Sequence, residues 1–152
     1  MDPSLLGFTT TGYWMDIGTM EKYLQVHLDI LNGAAPFRAQ ASSSKPGLLA
    51  QNGVKIGSNV SHDGVSKVLL GVKTLVGPYV RFSGGVCIGE RCVIGQGSVL
   101  KDCVVLGGAL IGEGVNLNRC VIGRECRVGA HASLGPGRAL GDRSVVARFS
   151  QL

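Results

Sequence analysis

The chain contains 152 residues with a formal net charge of +5 at pH 7, and it combines 24 glycines with only 5% aromatic residues. Its length allows one compact domain with an appendage, while the shortage of aromatic side chains disfavours a conventional sandwich core. The basic residues are scattered along the chain, which favours a solvated surface over a nucleic-acid track, and no apolar run approaches the ~20 residues that span a bilayer. We therefore expect a soluble protein with neither a nucleic-acid nor a membrane partner.

The first predicted elements are a strand and a helix within residues 1–33. Leu5 to Asp16 places aromatic side chains among threonines and glycines, and we interpret it as strand and turn. Thr19 stands at a helix N-cap position, Glu21 would complement the helix dipole, and Gly33 ends the helix. The apolar positions at helical spacing are Met20, Tyr23, Leu24, Leu28 and Leu31. A single helix of this length does not fold alone, so it needs a partner surface, either the end of the next domain or a domain outside this chain.

Residues 34–53 are predicted to be a linker by composition. The segment contains Pro36 and the run SSSKPG, and it ends at Gly53. It separates the strand and helix from the repeats of residues 54–152.

Residues 54–152 carry a six-residue repeat in which an aliphatic residue is often followed by glycine, which is typical of a parallel β-helix. Residues two apart in a strand share a face, so the residue two before each aliphatic position should also point inward. The aliphatic row includes Ile56, Val76, Phe82, Ile88, Ile94 and Leu100, and the second row reads Val80, Val86, Cys92, Ser98 and Val104. Three six-residue sides close one coil, and coils stack at about 4.8 Å. We predict a mainly β fold of about five coils, on the order of 25 Å long.

The repeat also shifts in phase. Leu106 to Ile111 and Leu117 to Ile122 span five residues instead of six, and we interpret both as tightened corners. Ile56 to Val76 spans two residues more than a regular coil, so the first coil should carry a small loop between His62 and Lys67.

The ends of a stacked coil leave unpaired strands, which must be covered or must pair with another chain. The helical appendage could cover the amino end. At the other end, Arg138 occupies a position that should point inward, and Arg148 and Phe149 follow the last repeat. The last coil is therefore predicted to be distorted into a cap or a contact surface.

The five cysteines form no CxxC pair and have no spacing typical of metal ligands. Cys92 and Cys126 fall in the small inward row, where a thiol behaves as a compact hydrophobe. The positions are Cys87, Cys92, Cys103, Cys120 and Cys126. We interpret all five as reduced and structural, and expect no zinc. Reduced thiols and the lack of a signal-peptide pattern at the amino end indicate a cytoplasmic protein.

The segment GYWMDIGTMEKYLQVHLDILNG, residues 12–33, resembles the end of the catalytic domain of sugar-nucleotide pyrophosphorylases, most closely mannose-1-phosphate guanylyltransferases. In that family a left-handed β-helix follows directly. The resemblance, and not the repeat, implies the handedness here, since the general rule for parallel crossovers would favour right-handed turns. Residues 1–33 would then be the tail of a nucleotidyltransferase domain.

The resemblance implies nucleotidyl transfer, in which a sugar 1-phosphate and a nucleoside triphosphate give a nucleotide sugar and pyrophosphate. Mg²⁺ offsets charge on the phosphates, and Asp16 corresponds to one of the family's metal-binding carboxylates. The partner carboxylate, the glycine-rich phosphate loop and the sugar-binding loops do not appear in this sequence. We therefore expect no complete catalytic site, no bound cofactor and no activity of this chain alone.

The resemblance also implies partners. The β-helix is expected to act as an assembly or regulatory module that forms a homo-oligomer, a dimer or larger, and a catalytic nucleotidyltransferase domain or subunit is a further expected partner.

Two alternative functions belong to other classes. A hexapeptide acyltransferase would use an acyl-CoA donor and a histidine on a coil as general base, and His131 lies at an outward position suited to that role, although an exposed corner histidine is the simpler interpretation. A γ-type carbonic anhydrase needs three histidines on zinc. Since His27 lies in the predicted helix, the coils supply His62 and His131 alone.

Overall fold

The computed structural model describes residues 7–37, 41–65 and 67–152 of the chain. Its parallel strands stack into a left-handed β-helix of about five coils, preceded by one helix, which confirms the predicted fold class. The helix is α1 (Met20–Asn32). The strands are β1 (Ser42–Lys45), β2 (Leu48–Ala50), β3 (Lys55–Ile56), β4 (Ser61–His62), β5 (Val68–Leu70), β6 (Leu75–Val76), β7 (Arg81–Ile88), β8 (Val93–Ile94), β9 (Val99–Val105), β10 (Leu110–Ile111), β11 (Asn116–Asn118), β12 (Val121–Ile122), β13 (Arg127–Val128), β14 (Ser133–Leu134), β15 (Ala139–Leu140) and β16 (Val145–Val146).

Three flat faces form the sides of the β-helix. Face 1 contains β2, β5, β12, β15 and the carboxyl halves of β7 and β9. Face 2 is the six-stranded sheet of β3, β6, β8, β10, β13 and β16. Face 3 contains β4, β11, β14 and the amino halves of β7 and β9.

Alternate residues on each face point inward and form the core. The predicted aliphatic positions from Val76 to Leu100 are all buried, whereas Ile56 in the first coil is 38% exposed because no coil lies beyond it. Two polar residues of the second row, Thr74 and Ser98, are also buried. Their hydroxyls donate to the carbonyls of Gly89 at 2.7 Å and Gly112 at 2.9 Å in the next coil, so the core satisfies them.

The first phase shift lies one side of the coil earlier than predicted. Val105, and not Leu106, is in register with Ile88 and fully buried, and Cys103 takes the inward place predicted for Val104. Val104 points outward instead, in a second apolar cluster beside the helix. The short corner therefore lies between Leu100 and Val105. The second predicted short corner, from Leu117 to Ile122, is confirmed by the burial of both residues.

The enlarged first coil is confirmed. His62 pairs with Phe82, and Val68 pairs with Val86. Five residues therefore lie between His62 and Val68 in the first coil, whereas three lie between Phe82 and Val86 in the second. Residue 66 of this loop lies outside the described residues.

The stacking begins inside the segment predicted to be a linker. Strand β2 pairs in parallel with β5, and β1 folds back on β2 in an antiparallel hairpin. Leu48 is 3% exposed because it continues the inward row above Val68. Composition alone could not show this, since proline, serine and glycine suit a hairpin turn as well as a linker.

The strand predicted within Leu5 to Asp16 is wrong for the residues that the structure describes. Residues 7–16 form no strand, because no other strand of the described chain lies alongside to pair with them. Residues 5 and 6 lie outside the described range.

The helix is confirmed, with both predicted caps. The Thr19 hydroxyl accepts a hydrogen bond from the Lys22 amide at 3.3 Å, and Gly33 adopts the left-handed conformation, φ 82°, that closes the last turn. Its position differs from the prediction, since α1 packs against β7 and β9 on face 1 and does not cover the amino end. The reason is the outward row of that face, in which Val104 and Val121 pack with Leu24.

A glycine on face 1 makes room for the helix. A Cβ atom added at Gly85 would lie 2.2 Å from Cδ2 of Leu28 and 3.7 Å from Cδ1 of Leu31. Leu28 therefore occupies the space that a side chain at position 85 would need.

The last coil is not distorted, contrary to the prediction. Val146 pairs in register with Val128, and Gln151 forms a parallel bridge with Ser133. Arg138 precedes strand β15 and is exposed, so the regular backbone continues while its side chain reaches solvent.

We expect Gly85→Ala to displace the methyl group of the half-buried Leu28 and to lower the free energy of unfolding by about 1 kcal/mol, the lower end of the range for overpacking. Gly135→Ala is the matched control, since a Cβ there meets only the Leu152 carbonyl oxygen at 3.4 Å. Urea denaturation of both variants measures the difference. Equal stabilities would mean that Leu28 does not fill this space.

Candidate functional site

Asp16, the predicted metal-binding carboxylate, closes a turn before the helix. Its Oδ1 accepts a hydrogen bond from the Gly18 amide at 3.1 Å, and its Oδ2 lies 3.5 Å from Nζ of Lys22. Both side chains of this ion pair are more than half exposed. The carboxylate is therefore held by its own turn and by a lysine cation.

These residues alone do not complete a magnesium site. Mg²⁺ takes six oxygen ligands in near-octahedral geometry, and here the carboxylate faces a cation. Within residues 7–37, 41–65 and 67–152, no group of three or more His, Cys, Asp or Glu side chains lies close enough to hold a metal.

The three histidines lie on different parts of the fold. Nδ1 of His27 is 2.8 Å from the Tyr23 carbonyl oxygen on the helix, and His62 accepts a hydrogen bond from the Gly64 amide in the first coil. His131 lies at an exposed corner in the left-handed region, φ 60°. The structure thus brings no two of the predicted histidines together, as a γ-type carbonic anhydrase would require.

His131 belongs to an aromatic stack at the carboxyl end of the β-helix. Its ring lies 5.2 Å from that of Phe149 in the next coil, at an interplanar angle of 13°, and the Arg148 guanidinium lies 5.5 Å from the Phe149 ring centre. The ring also covers Gly114, where an added Cβ would meet Nδ1 at 2.5 Å. These contacts fix the position of the His131 ring at the corner.

Four hollows of the described surface have volumes of about 430–460 Å³, and two of them lie at the amino end of the β-helix and beside the end of α1. One, of about 430 Å³, opens at the amino end of the β-helix and is lined by Leu48, Ile56, Gly57, Asn59, Val60, Ser61, His62 and Phe82. The other, of about 460 Å³, lies beside the end of the helix, where Lys67 is its one basic lining residue. Neither hollow offers the cluster of cations or backbone amides that a triphosphate needs.

Four cysteines have thiols whose protonated form is stabilised by burial. Burial raises the pKa of Cys87 and of Cys120 to about 12, and it raises the pKa of Cys92 and Cys103 as well. The Cys92 thiol donates to the Leu106 carbonyl oxygen at 3.2 Å. All five cysteines are free. Since the thiolate is the reactive form, these side chains are packing groups and not nucleophiles.

Apolar side chains are exposed in two places outside the core. On face 2, Leu75, Val93 and Leu110 form an outward row and are 42%, 38% and 41% exposed. Beside Asp16, Trp14 is 77% exposed and Ile17 is 52% exposed. Both patches are surfaces that could contact other chains or domains.

Sequence reasoning missed the outward rows, although a signal for them was present. The residue between the two inward positions of each repeat is apolar at Val104 and Val121, which contact the helix, and at Val93 and Leu110, which do not. Among the described residues, no helix is both long and apolar enough to cross a bilayer.

Comparisons with known proteins agree with this architecture. Residues 50–149 match the protein-family profile described as GMPPB C-terminal domain. A glucose-1-phosphate adenylyltransferase from Acetivibrio thermocellus is 25% identical over 135 residues, which are 88% of this chain and 30% of that relative. A bifunctional protein GlmU from Pseudoalteromonas atlantica is 31% identical over 85 residues, which are 56% of this chain and 19% of that relative. The chain thus spans less than a third of the length of either relative.

A solved structure shares the fold. A hexapeptide-repeat-containing acetyltransferase from Vibrio cholerae O1 biovar eltor, complexed with acetyl coenzyme A, superposes with a TM-score of 0.60 at 14% identity. The superposition covers 84% of this chain and 80% of that one. At this identity the likeness concerns the fold alone.

The raised thiol pKa values predict a loss of stability in alkali. An unfolded thiol ionises near pH ~8.5, whereas folded Cys120 ionises near 12. Its stabilising contribution is therefore complete below the unfolded pKa and is lost as the pH rises toward the folded one. Between about pH 9 and 11 the unfolding free energy of Cys120→Ala should therefore fall less steeply than that of the wild type. The difference in slope should be roughly 1.4 kcal/mol per pH unit.

Urea denaturation at several pH values measures that slope. Val115→Ala is the control, because it opens a comparable cavity in an equally buried position and removes no titrating group. It should lower the stability equally at every pH. Parallel curves for the wild type and Cys120→Ala would show that this thiol does not resist ionisation.

Proposed function

This chain belongs to the family of GMPPB C-terminal domains, in agreement with its resemblance to the carboxy-terminal repeat region of sugar-nucleotide pyrophosphorylases, and from that premise we propose its role. It is the β-helix portion of a mannose-1-phosphate guanylyltransferase-like nucleotidyltransferase, and it serves as an assembly or regulatory module without a complete active site. The parent reaction joins a sugar 1-phosphate to a nucleotide and releases pyrophosphate. The observation that carries the proposal is the family match across the stacked coils.

The segment before the helix exposes apolar side chains, which suits contact with a separate catalytic domain. Trp14 and Ile17 flank Asp16 and expose most of their apolar surface, as does Phe8 at 93%. Large apolar side chains in such a cluster are typical of a surface that packs against another domain. In the parent enzyme that domain would supply the second carboxylate for Mg²⁺, the phosphate loop and the sugar-binding loops. The free cysteines of this chain fit a cytoplasmic location for the parent enzyme.

We expect the purified chain to release no pyrophosphate from GTP and mannose 1-phosphate in the presence of Mg²⁺, because Asp16 has no partner carboxylate. A coupled pyrophosphate assay measures this, with Asp16→Ala as the control. Release above the blank that disappears in Asp16→Ala would contradict the proposal.

The same preparation tests the acyltransferase alternative. Acetyl-CoA should give no binding heat in calorimetry, because His131 is stacked on Phe149 at an open corner. A binding signal that is lost in His131→Ala would favour that alternative instead.

Face 2 supports the assembly role. Its outward row runs along six strands, and the apolar residues Leu75, Val93 and Leu110 stand between Lys55 and Arg127. A stable dimer buries about 800 Å² on each partner, so a self-contact would have to use most of such a face.

Light scattering at several concentrations should show at least a dimer, and Leu110→Lys should dissociate it, because a lysine ammonium would be buried in an apolar contact. Asn116→Lys is the matched control, since Asn116 points outward from the same coil on face 3. It should leave the assembly intact. A wild-type monomer throughout would count against an assembly role, and dissociation by Asn116→Lys alone would assign the contact to face 3.

A further inference from the structure

The carboxyl end of the β-helix presents unpaired strand donors. Each coil donates backbone hydrogen bonds to the next one, as Val121 does to Arg138 at 3.0 Å and Arg127 to Ser144 at 2.9 Å. The corresponding amides of the last coil belong to Ala139 and Val145. No further strand lies beyond them among residues 7–37, 41–65 and 67–152. Such an edge can accept an added strand from another chain.

The last coil also places an arginine in a core row. Arg138 is the last member of an inward row of face 1, in which each residue lies over the one in the preceding coil. The earlier members are at most 3% exposed, and they are Leu48, Val68, Val86, Cys103 and Cys120. Arg138 itself is exposed because no coil covers it. A strand added to this edge would bury the guanidinium. Burial of an unpaired charge is strongly unfavourable, so the added strand must bring a carboxylate to that position.

The charge of the chain is concentrated at this end. Residues 114–152 contain six arginines against Glu125 and Asp142, so they carry +4 of the total +5. Asp142 is already engaged, because it accepts from the Arg124 amide at 2.7 Å and lies 3.8 Å from its guanidinium. No ion pair in the described part of the chain involves Arg138, Arg143 or Arg148. The open end is therefore complementary to an acidic partner.

We infer that the carboxyl edge of the β-helix binds an extended acidic peptide segment by strand addition on face 1. The peptide pairs with β15 and places an Asp or Glu over Arg138. Two residues later it places an apolar side chain over Leu140, since residues two apart share a face. Leu140 is half-buried and packs against the core, so it offers an apolar surface for that side chain. The inference depends on the fold and the charges, and does not require the proposed guanylyltransferase parent.

A second copy of this chain fits the edge poorly. On face 1 its amino edge is β1, which runs antiparallel to β2 and places Lys45 opposite Leu48, the first residue of the same row. The exposed strands of that coil carry Lys55, and Asp63 follows in the loop, so they bring no excess of negative charge. Head-to-tail stacking would therefore bury the arginine without a partner.

Fluorescence anisotropy with a labelled peptide tests the inference. The peptide alternates Thr and Val and carries one Glu two positions before a Val, and its control carries Lys in place of Glu. We expect the Glu peptide to bind at least about tenfold more tightly. Arg138→Glu should reverse this preference, and Arg91→Glu, an exposed arginine of an internal coil, should leave it unchanged.

Hydrogen exchange of single amides distinguishes strand addition from charge attraction alone. The bound Glu peptide should slow exchange at Ala139 and Gly141, while the amide of Val121, already bonded to Arg138, should not change. Binding without new protection, equal binding of both peptides, or equally tight binding of a DNA oligonucleotide would each overturn the inference. Self-association that Arg138→Glu abolishes would assign the edge to a second copy and would overturn it as well.

Discussion

Each side chain inside the coil lies over its counterpart in the preceding coil, at the spacing of hydrogen-bonded strands, about 4.8 Å. This constraint decides the rest of the structure. Inward positions accept aliphatic side chains such as Ile94 and Leu117, or small groups such as Ser98 whose hydroxyl bonds the next coil. Unpaired charges are excluded from closed rows, and Phe82 is the one aromatic ring in the core cluster of the described residues. The same ladder leaves every strand edge satisfied except at the two ends of the stack, so any recognition by the backbone must occur there.

Because the interior is committed to packing, any function must come from outward rows and from the ends. The outward row of face 1 is covered by α1, and the outward row of face 2 is exposed. The carboxyl end of the β-helix carries a cluster of arginines. Among the described residues none of these surfaces gathers three His, Cys, Asp or Glu side chains that could hold a metal ion. An arrangement of this kind suits association with other chains, which is consistent with a module inside a larger enzyme.

The sequence predicted the repeat, the enlarged first coil and both helix caps, because each follows from local spacing or from one special residue such as Thr19. It failed at Cys103 to Leu106, where four apolar residues in succession satisfy either phase equally well. The helix determines which phase these residues adopt, because it covers Val104 on the outward side. The place of the helix was equally inaccessible, because amphipathicity shows only that a partner is needed. Asp16 illustrates the limit for sites: its metal-binding role stays a prediction from the resemblance, while the structure shows the carboxylate bonded to the Gly18 amide and paired with Lys22.

On faces 2 and 3 the two ends of the described stack are complementary in hydrogen bonding, a geometry that could join copies into a fibre. The last coil keeps its register to Gln151, so its backbone would permit such joining. Arg138 opposes it, because the edge strand β1 of another copy carries Lys45 and no carboxylate. The residue that departs from the core pattern thus has two effects from one cause. The burial cost of its charge disfavours the amino end of the same protein, which offers no carboxylate there, and selects a strand that carries one.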